Sequence, residues 1–338
     1  IKELMGGGNI YHFSYYGYLR PDILIGALLI HIDMQTIIIA YSVLMMTLSV
    51  LCCYIFLRQH TKDENICIFV SLLVLLSSIF FHSHKQIMFV NYMPFLFLAL
   101  ISIEKKNFVA FTLCGSLIVL HSYFYCIGCF IVCFIYLLYR HPGEWKKLFV
   151  SYILIVLLTA ILTIPTLLVI LSNGKSGAST QLASLFIPSL NLKGLLYSEY
   201  GCGLTYISYI LLVLALSDKQ LQKLSAVCLV SFYSPFVWFI MNGFLYARSK
   251  IMLVFIPLVA YIMCMMLVKI KEGNIKLSKY SLVLLIIPVF FIKYPLSALI
   301  DCLFVILLLL QKRKNLIYAY LVIPMLVVSY TNCPSSFY

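Results

Sequence analysis

Across 338 residues the chain is 63% hydrophobic and 10% charged, with a mean hydropathy of +1.05, whereas a soluble domain is roughly 45–50% apolar and about 25% charged. This balance excludes an ordinary soluble enzyme, and the lack of alternating lipid-facing and lumen-facing residues excludes a β-barrel. The net charge of +13 fits basic cytoplasmic loops and not a nucleic-acid surface, so the expected class is all-α, a polytopic transmembrane helical bundle.

The chain opens on Ile1 and a polar stretch, IKELMGGGN, with neither the charged region nor the apolar region of a signal peptide. At least one upstream helix is therefore expected to precede it. Residues 1–34 read as a first extracytoplasmic loop, rich in tyrosine between 11 and 18. Its apolar stretch 22–34 is too short to span and reads as an interfacial or re-entrant helix.

Residues 35–330 read as the membrane domain. The expected spans are 35–57, 66–82, 88–103, 108–121, 123–139, 148–172, 203–217, 225–241, 251–268, 280–292, 296–310 and 315–330, about 12 in all. The run 108–139 is divided only at His121-Ser122, and 280–310 is split at Pro295. A long outer loop falls at 173–202, and 331–338 reads as a truncated outer loop. With loop 58–65 placed inside, sixteen of the 24 Lys and Arg fall on the inner side, in keeping with the positive-inside rule.

That assignment puts the short polar break Asn242–Lys250, NGFLYARSK, on the outer face, where cations are scarce. Arg248 offers a fork of donors that fits a phosphate, and Lys250 adds a point charge; snorkelling to lipid headgroups is the competing reading. His82, His84 and Lys85 crowd one short outer turn, where they can meet sugar hydroxyls or form a wet polar turn. Asp22 and Glu3 are acids at the front outer end, able to serve as a base or to carry a metal; for Asp22, helix N-capping competes. Asp301 lies within an apolar run and is a candidate by position. Tyr15 and Tyr16 can stack on sugar rings or join an interfacial belt. Cys126, Cys129 and Cys133 share a helical face and read as small packing residues. No metal site and no nucleotide-binding motif is read, so energy would come from a pre-activated substrate or an ion gradient.

The stretches MGGGNIYHFSYYGYLRPDIL (5–24), HSHKQIMFVNYMPFLFLAL (82–100), SYFYCIGCFIVCFIYLLYR (122–140) and NGFLYARSK (242–250) resemble, in order and spacing, the bacterial YfhO family of multi-pass membrane proteins. The resemblance implies a GT-C-like glycosyltransferase that takes a sugar from a polyprenyl-phosphate donor and passes it to an envelope glycopolymer such as teichoic acid. It implies an extracytoplasmic active face of the bacterial plasma membrane. It implies an outer-loop acid as base or divalent-metal carrier, for which Asp22 and then Glu3 are the candidates, and Arg248 as the ligand of the carrier phosphate. Lys250 stands where an aromatic or aliphatic residue would begin the next helix. A transporter or flippase of a lipid-linked glycan, using His121 and Asp301, and a polysaccharide polymerase are the alternatives.

Overall fold

A computed structural model describes residues 20–75, 90–172, 182–189, 196, 205–273, 295–310, 322 and 326. Glu3, Tyr15, Tyr16, His82, His84 and Lys85 lie outside the described residues, as do the expected span 280–292, nearly all of 315–330, and the loop 331–338.

The described chain is all-α, with fourteen α-helices. They are α1 (Pro21–Leu28), α2 (Met34–Arg58), α3 (Glu64–Leu75), α4 (Met93–Glu104), α5 (Phe108–His121), α6 (Tyr123–Arg140), α7 (Trp145–Leu158), α8 (Ala160–Ser172), α9 (Leu182–Leu185), α10 (Tyr206–Ala215), α11 (Gln222–Tyr233), α12 (Pro235–Met241), α13 (Ile256–Glu272) and α14 (Pro295–Leu310). Two 3-10 helices, Pro142–Glu144 and Ser249–Phe255, lead into α7 and α13.

Polar residues set the breaks. Asp33 Oδ2 accepts the Thr36 N–H at the start of α2 (3.2 Å), and Asp63 Oδ1 accepts the Ile66 N–H at the start of α3 (3.2 Å). Asn107 accepts the Ala110 N–H ahead of α5 (3.0 Å), and Ser122 accepts the Tyr125 N–H ahead of α6 (3.4 Å). Each supplies a partner for a backbone donor that a helix start leaves unpaired. Ser122 is extended, at φ −155° and ψ 92°, so the apolar run 108–139 divides at His121-Ser122 as its sequence indicates. Gly273, at φ +77°, closes α13.

The expectation of about 12 spans is corrected. Among the described residues three helical stretches are long and apolar enough to cross a membrane: Met34–Arg58, Tyr123–Arg140 and Ser249–Glu272. The count rises to five if two bent pairs are each one span. Helices α4, α5 and α10 have 10–14 residues, and 14 residues rise only ~21 Å against a hydrocarbon core of ~30 Å. The runs 148–172 and 225–241 are not straight either. Pro142–Leu158 and Ala160–Val169 meet at 81°, and Gln222–Tyr233 and Pro235–Met241 meet at 91°. The second bend has a local cause: Pro235 excludes the helical region for the residue before it, and Ser234 sits at φ −101° and ψ 104°.

The chain forms two units. The first comprises residues 1–49, 83–181 and 239–247, and the second 50–82, 182–238 and 248–338, so α2 passes from one to the other. In the first unit α5 packs against α4, α6 and α7. Its Gly115 lets Ile155 of α7 approach so closely that an added Cβ would lie 2.3 Å from the Ile155 Cδ1. In the second unit α13 packs against α3, α10 and α11, and the most apolar part of Ser249–Glu272 is 89% buried. On α2, by contrast, Ile39, Val43, Leu44 and Leu51 are exposed. Apolar side chains left outside on helices of this length point to a multi-pass membrane protein.

Ion pairs tie helix ends together within each unit. In the first, Glu104 at the end of α4 accepts from Arg140 at the end of α6 (3.0 and 2.5 Å) and from the Tyr136 hydroxyl (2.9 Å). In the second, Lys269 and Lys271 in the last turn of α13 reach Asp218 and Asp63, each at 2.5 Å. Burial alone would raise the Asp218 carboxyl. The Lys269 ammonium and the Leu221 and Gln220 N–H groups outweigh it and hold that carboxyl below its usual range.

Candidate functional site

Polar groups collect at the opposite end of the first unit, around the start of α1 and α2 and the end of α5. Pro21 fixes the first helical position of α1 and places Asp22 in its first turn. Asp22 does not cap that helix, which corrects the capping reading: the cap position is Arg20, and it makes no side-chain cap bond. Both Asp22 oxygens instead take the Arg20 guanidinium, Oδ1 from Nε at 2.8 Å and Oδ2 from Nη2 at 2.5 Å. The Asp22 side chain is fully buried and that of Arg20 is 10% exposed. Burying a charge this deeply is tolerated only with a partner of matching geometry, and a forked donor on a carboxylate supplies one.

Tyr41 of α2 and His121 of α5 lie within electrostatic reach of both charges. Their side chains share a hydrogen bond of 2.7 Å between the Tyr41 hydroxyl and His121 Nε2, and His121 Nδ1 is 2.7 Å from the Leu117 carbonyl oxygen. A carbonyl only accepts, so Nδ1 carries the proton of the neutral ring. Nε2 is then the acceptor, and the Tyr41 hydroxyl donates to it. Phe95 of α4 packs on the imidazole at a centroid distance of 4.7 Å. His121 is buried, whereas Tyr41 is half-buried.

A second polar contact lies beside this one. The Ser42 hydroxyl spends its proton on the Ile38 carbonyl (2.9 Å), so it accepts from Asn91 Nδ2 at 3.4 Å. Asn91 Oδ1 and the Tyr92 hydroxyl are buried without a hydrogen-bond partner among the described residues, and Tyr92 stacks on Tyr125 at 5.2 Å. Orphaned buried acceptors are uncommon and mark a place where a hydroxyl or a water belongs.

The stretch 242–250 divides between the units. Asn242-Gly243-Phe244 ends α12 with Gly243 at φ +66° and Phe244 at φ +62°, and the Phe244 N–H reaches back to the Phe239 carbonyl (2.9 Å). Tyr246 stacks on Phe124 at 6.0 Å. In the second unit Arg248 is exposed at the cap position of the 3-10 helix, and Lys250, half-exposed, lies within that helix. The two cations are thus adjacent on one short element of the second unit, while Asp22 belongs to the first.

Asp301 is fully buried in α14 of the second unit, and its Oδ2 accepts the Ile207 N–H at 3.1 Å. It serves the start of α10, where Thr205 makes no side-chain cap. An acid from another helix thus supplies the anion that a helix N-terminus favours. The same unit has an open apolar cleft of about 560 Å³ lined by residues including Phe186, Tyr209, Val213, Leu229, Tyr233 and Phe236.

Sequence reasoning singled out Asp22 but missed Arg20 and Tyr41 as its company, and it noted His121 only as a break and an intramembrane polar group. A hydroxyl pair, Tyr41-Ser42, inside one apolar run and an imidazole at the break of another were the available signal. Compared with protein-family models, curated proteins and solved structures, the chain matches none.

Proposed function

We propose that this multi-pass membrane protein is a glycosyltransferase that moves one sugar from a polyprenyl-phosphate donor to an envelope glycopolymer on the extracytoplasmic face of a bacterial plasma membrane. The reading starts from the resemblance to the YfhO family and its GT-C-like architecture. One observation carries it further: the acid singled out from sequence, Asp22, is buried as a compensated charge within electrostatic reach of a hydrogen-bonded Tyr41–His121 pair. Acid–base groups in a shielded, polar spot are what deprotonation of an acceptor hydroxyl requires.

In this reading Arg248 meets the carrier phosphate and neutralises it as it leaves. Lys250 adds charge beside it, and the apolar cleft of the second unit offers the kind of wall a prenyl chain lies against. Glu3 remains the second candidate for an outer-loop acid, and His82, His84, Lys85, Tyr15 and Tyr16 remain proposed acceptor and sugar contacts. Bond making is balanced: the acceptor oxygen attacks the anomeric carbon, the anomeric carbon–phosphate oxygen bond breaks, and the carrier phosphate keeps the electron pair.

The test is the full chain reconstituted in liposomes with a polyprenyl-phosphate sugar and a glycopolymer acceptor. Wild type forms a new glycosidic bond, and Arg248→Ala inserts normally but loses transfer. A carrier that crosses the bilayer with no new bond would instead support the flippase reading, which the buried His121 among apolar helices also favours.

A further inference from the structure

We infer that the proton of the acceptor hydroxyl leaves through Tyr41 to His121, and that Asp22, held by Arg20, is not the base. The inference rests on the sugar-transfer reading and names the proton path within it.

Three observations carry it. Both oxygens of Asp22 are engaged by one guanidinium and the carboxylate is fully buried, so an incoming hydroxyl meets a neutralised charge with no solvent access. His121 presents a defined lone pair, because Nδ1–H is committed to Leu117 and leaves Nε2 as acceptor. The atom already on that lone pair is the Tyr41 hydroxyl, and Tyr41 is the partly exposed member of the pair. In the proposed path the ligand meets the phenol first. The buried base receives the proton second.

The step conserves every atom and charge. As the acceptor oxygen attacks, its O–H bond breaks and a new O–H forms on the Tyr41 oxygen. The original Tyr41 O–H breaks, and a bond forms between that proton and His121 Nε2. The product is an imidazolium, which donates from both nitrogens, one to Leu117 and one to Tyr41. No oxidant or metal enters the balance. Among the described residues, the charged or titratable groups that act on His121 are Arg20 and Asp22 at the start of α1 and Tyr41 of α2, while α4 contributes the Phe95 ring.

The experiment compares wild type, Tyr41→Phe and His121→Gln in the reconstituted transfer assay across pH, with thermal unfolding of each in detergent as the control for folding. Tyr41→Phe retains the ring and is expected to lower the turnover rate ~100-fold or more, within the range general-base catalysis supplies, with donor KM unchanged. His121→Gln is expected to remove the ascending acid limb of the rate profile. Turnover by Tyr41→Phe at the wild-type rate with an unchanged pH profile would overturn the path. If wild type forms no product at all, the sugar-transfer reading fails on its own, and the pair is judged by the nitrogen resonances of labelled histidine. An unprotonated Nε2 that shifts in Tyr41→Phe supports the assignment of acceptor and donor, and a neutral ring protonated at Nε2 overturns it.

Discussion

Removing the Asp22 carboxylate leaves the Arg20 guanidinium in a spot where its side chain is only 10% exposed. Breaking a buried ion pair from one side costs about 3–5 kcal/mol, because the survivor keeps its desolvation penalty and loses its partner. Arg20 retains a little access to water, so Asp22→Ala is expected near the lower end, about 3 kcal/mol. Replacing both partners removes both penalties, and Arg20→Met with Asp22→Leu is expected within ~1 kcal/mol of wild type, since apolar replacement of buried pairs is often neutral or better. The readout is unfolding by SDS titration in mixed micelles. Trp145 lies in the first unit and Trp238 in the second, so Trp145 fluorescence in a Trp238→Phe background reports the unit that holds the pair. In a double-mutant cycle the double variant should cost clearly less than the sum of the two single ones. Asp22→Ala and Arg20→Ala that each cost under ~1 kcal/mol and simply add would refute the buried-pair reasoning.

Three further outcomes follow from named contacts. Asp301→Leu should destabilise the second unit by ~2–3 kcal/mol by stripping a charged acceptor from the Ile207 N–H; Asp301→Asn, which keeps an acceptor oxygen, should cost clearly less in the same titration read by Trp238. Gly115→Ala should cost ~1–3 kcal/mol through overpacking against Ile155, and Ile155→Val, which removes the clashing Cδ1, should restore most of it; an unaltered Gly115→Ala would show that the helices part freely. The Asp218 carboxyl is held below its usual range, so its link to Lys269 contributes stability above about pH 3.9. That contribution is lost as the pH falls through the lower, folded-state value, and Asp218→Asn should flatten this acid-side loss in a pH series of unfolding midpoints.

Local chemistry made much of the fold legible. His121-Ser122 interrupts a continuous apolar run, and the helices part there because a serine in extended conformation takes up a free backbone donor. Charge was informative in a limited way: the polar loops around 58–65 and 218–223 and the end of α13 were grouped by their cations, and ion pairs do join them in the second unit.

Composition and periodicity alone determined that this is an all-helical chain with membrane-length apolar segments, because burial of backbone in an apolar solvent leaves few other solutions. The number of such segments was decided by tertiary structure. Hydropathy averages along the chain and does not register the turns at Thr159 and Ser234, which convert long runs into bent pairs. The site was decided the same way. Tyr41 meets His121 across 80 positions, and Ile207 meets Asp301 across 94. Each partner taken singly has an ordinary reading. Only packing of separate helices brings a donor to its acceptor, and no spacing along one strand of sequence encodes that meeting.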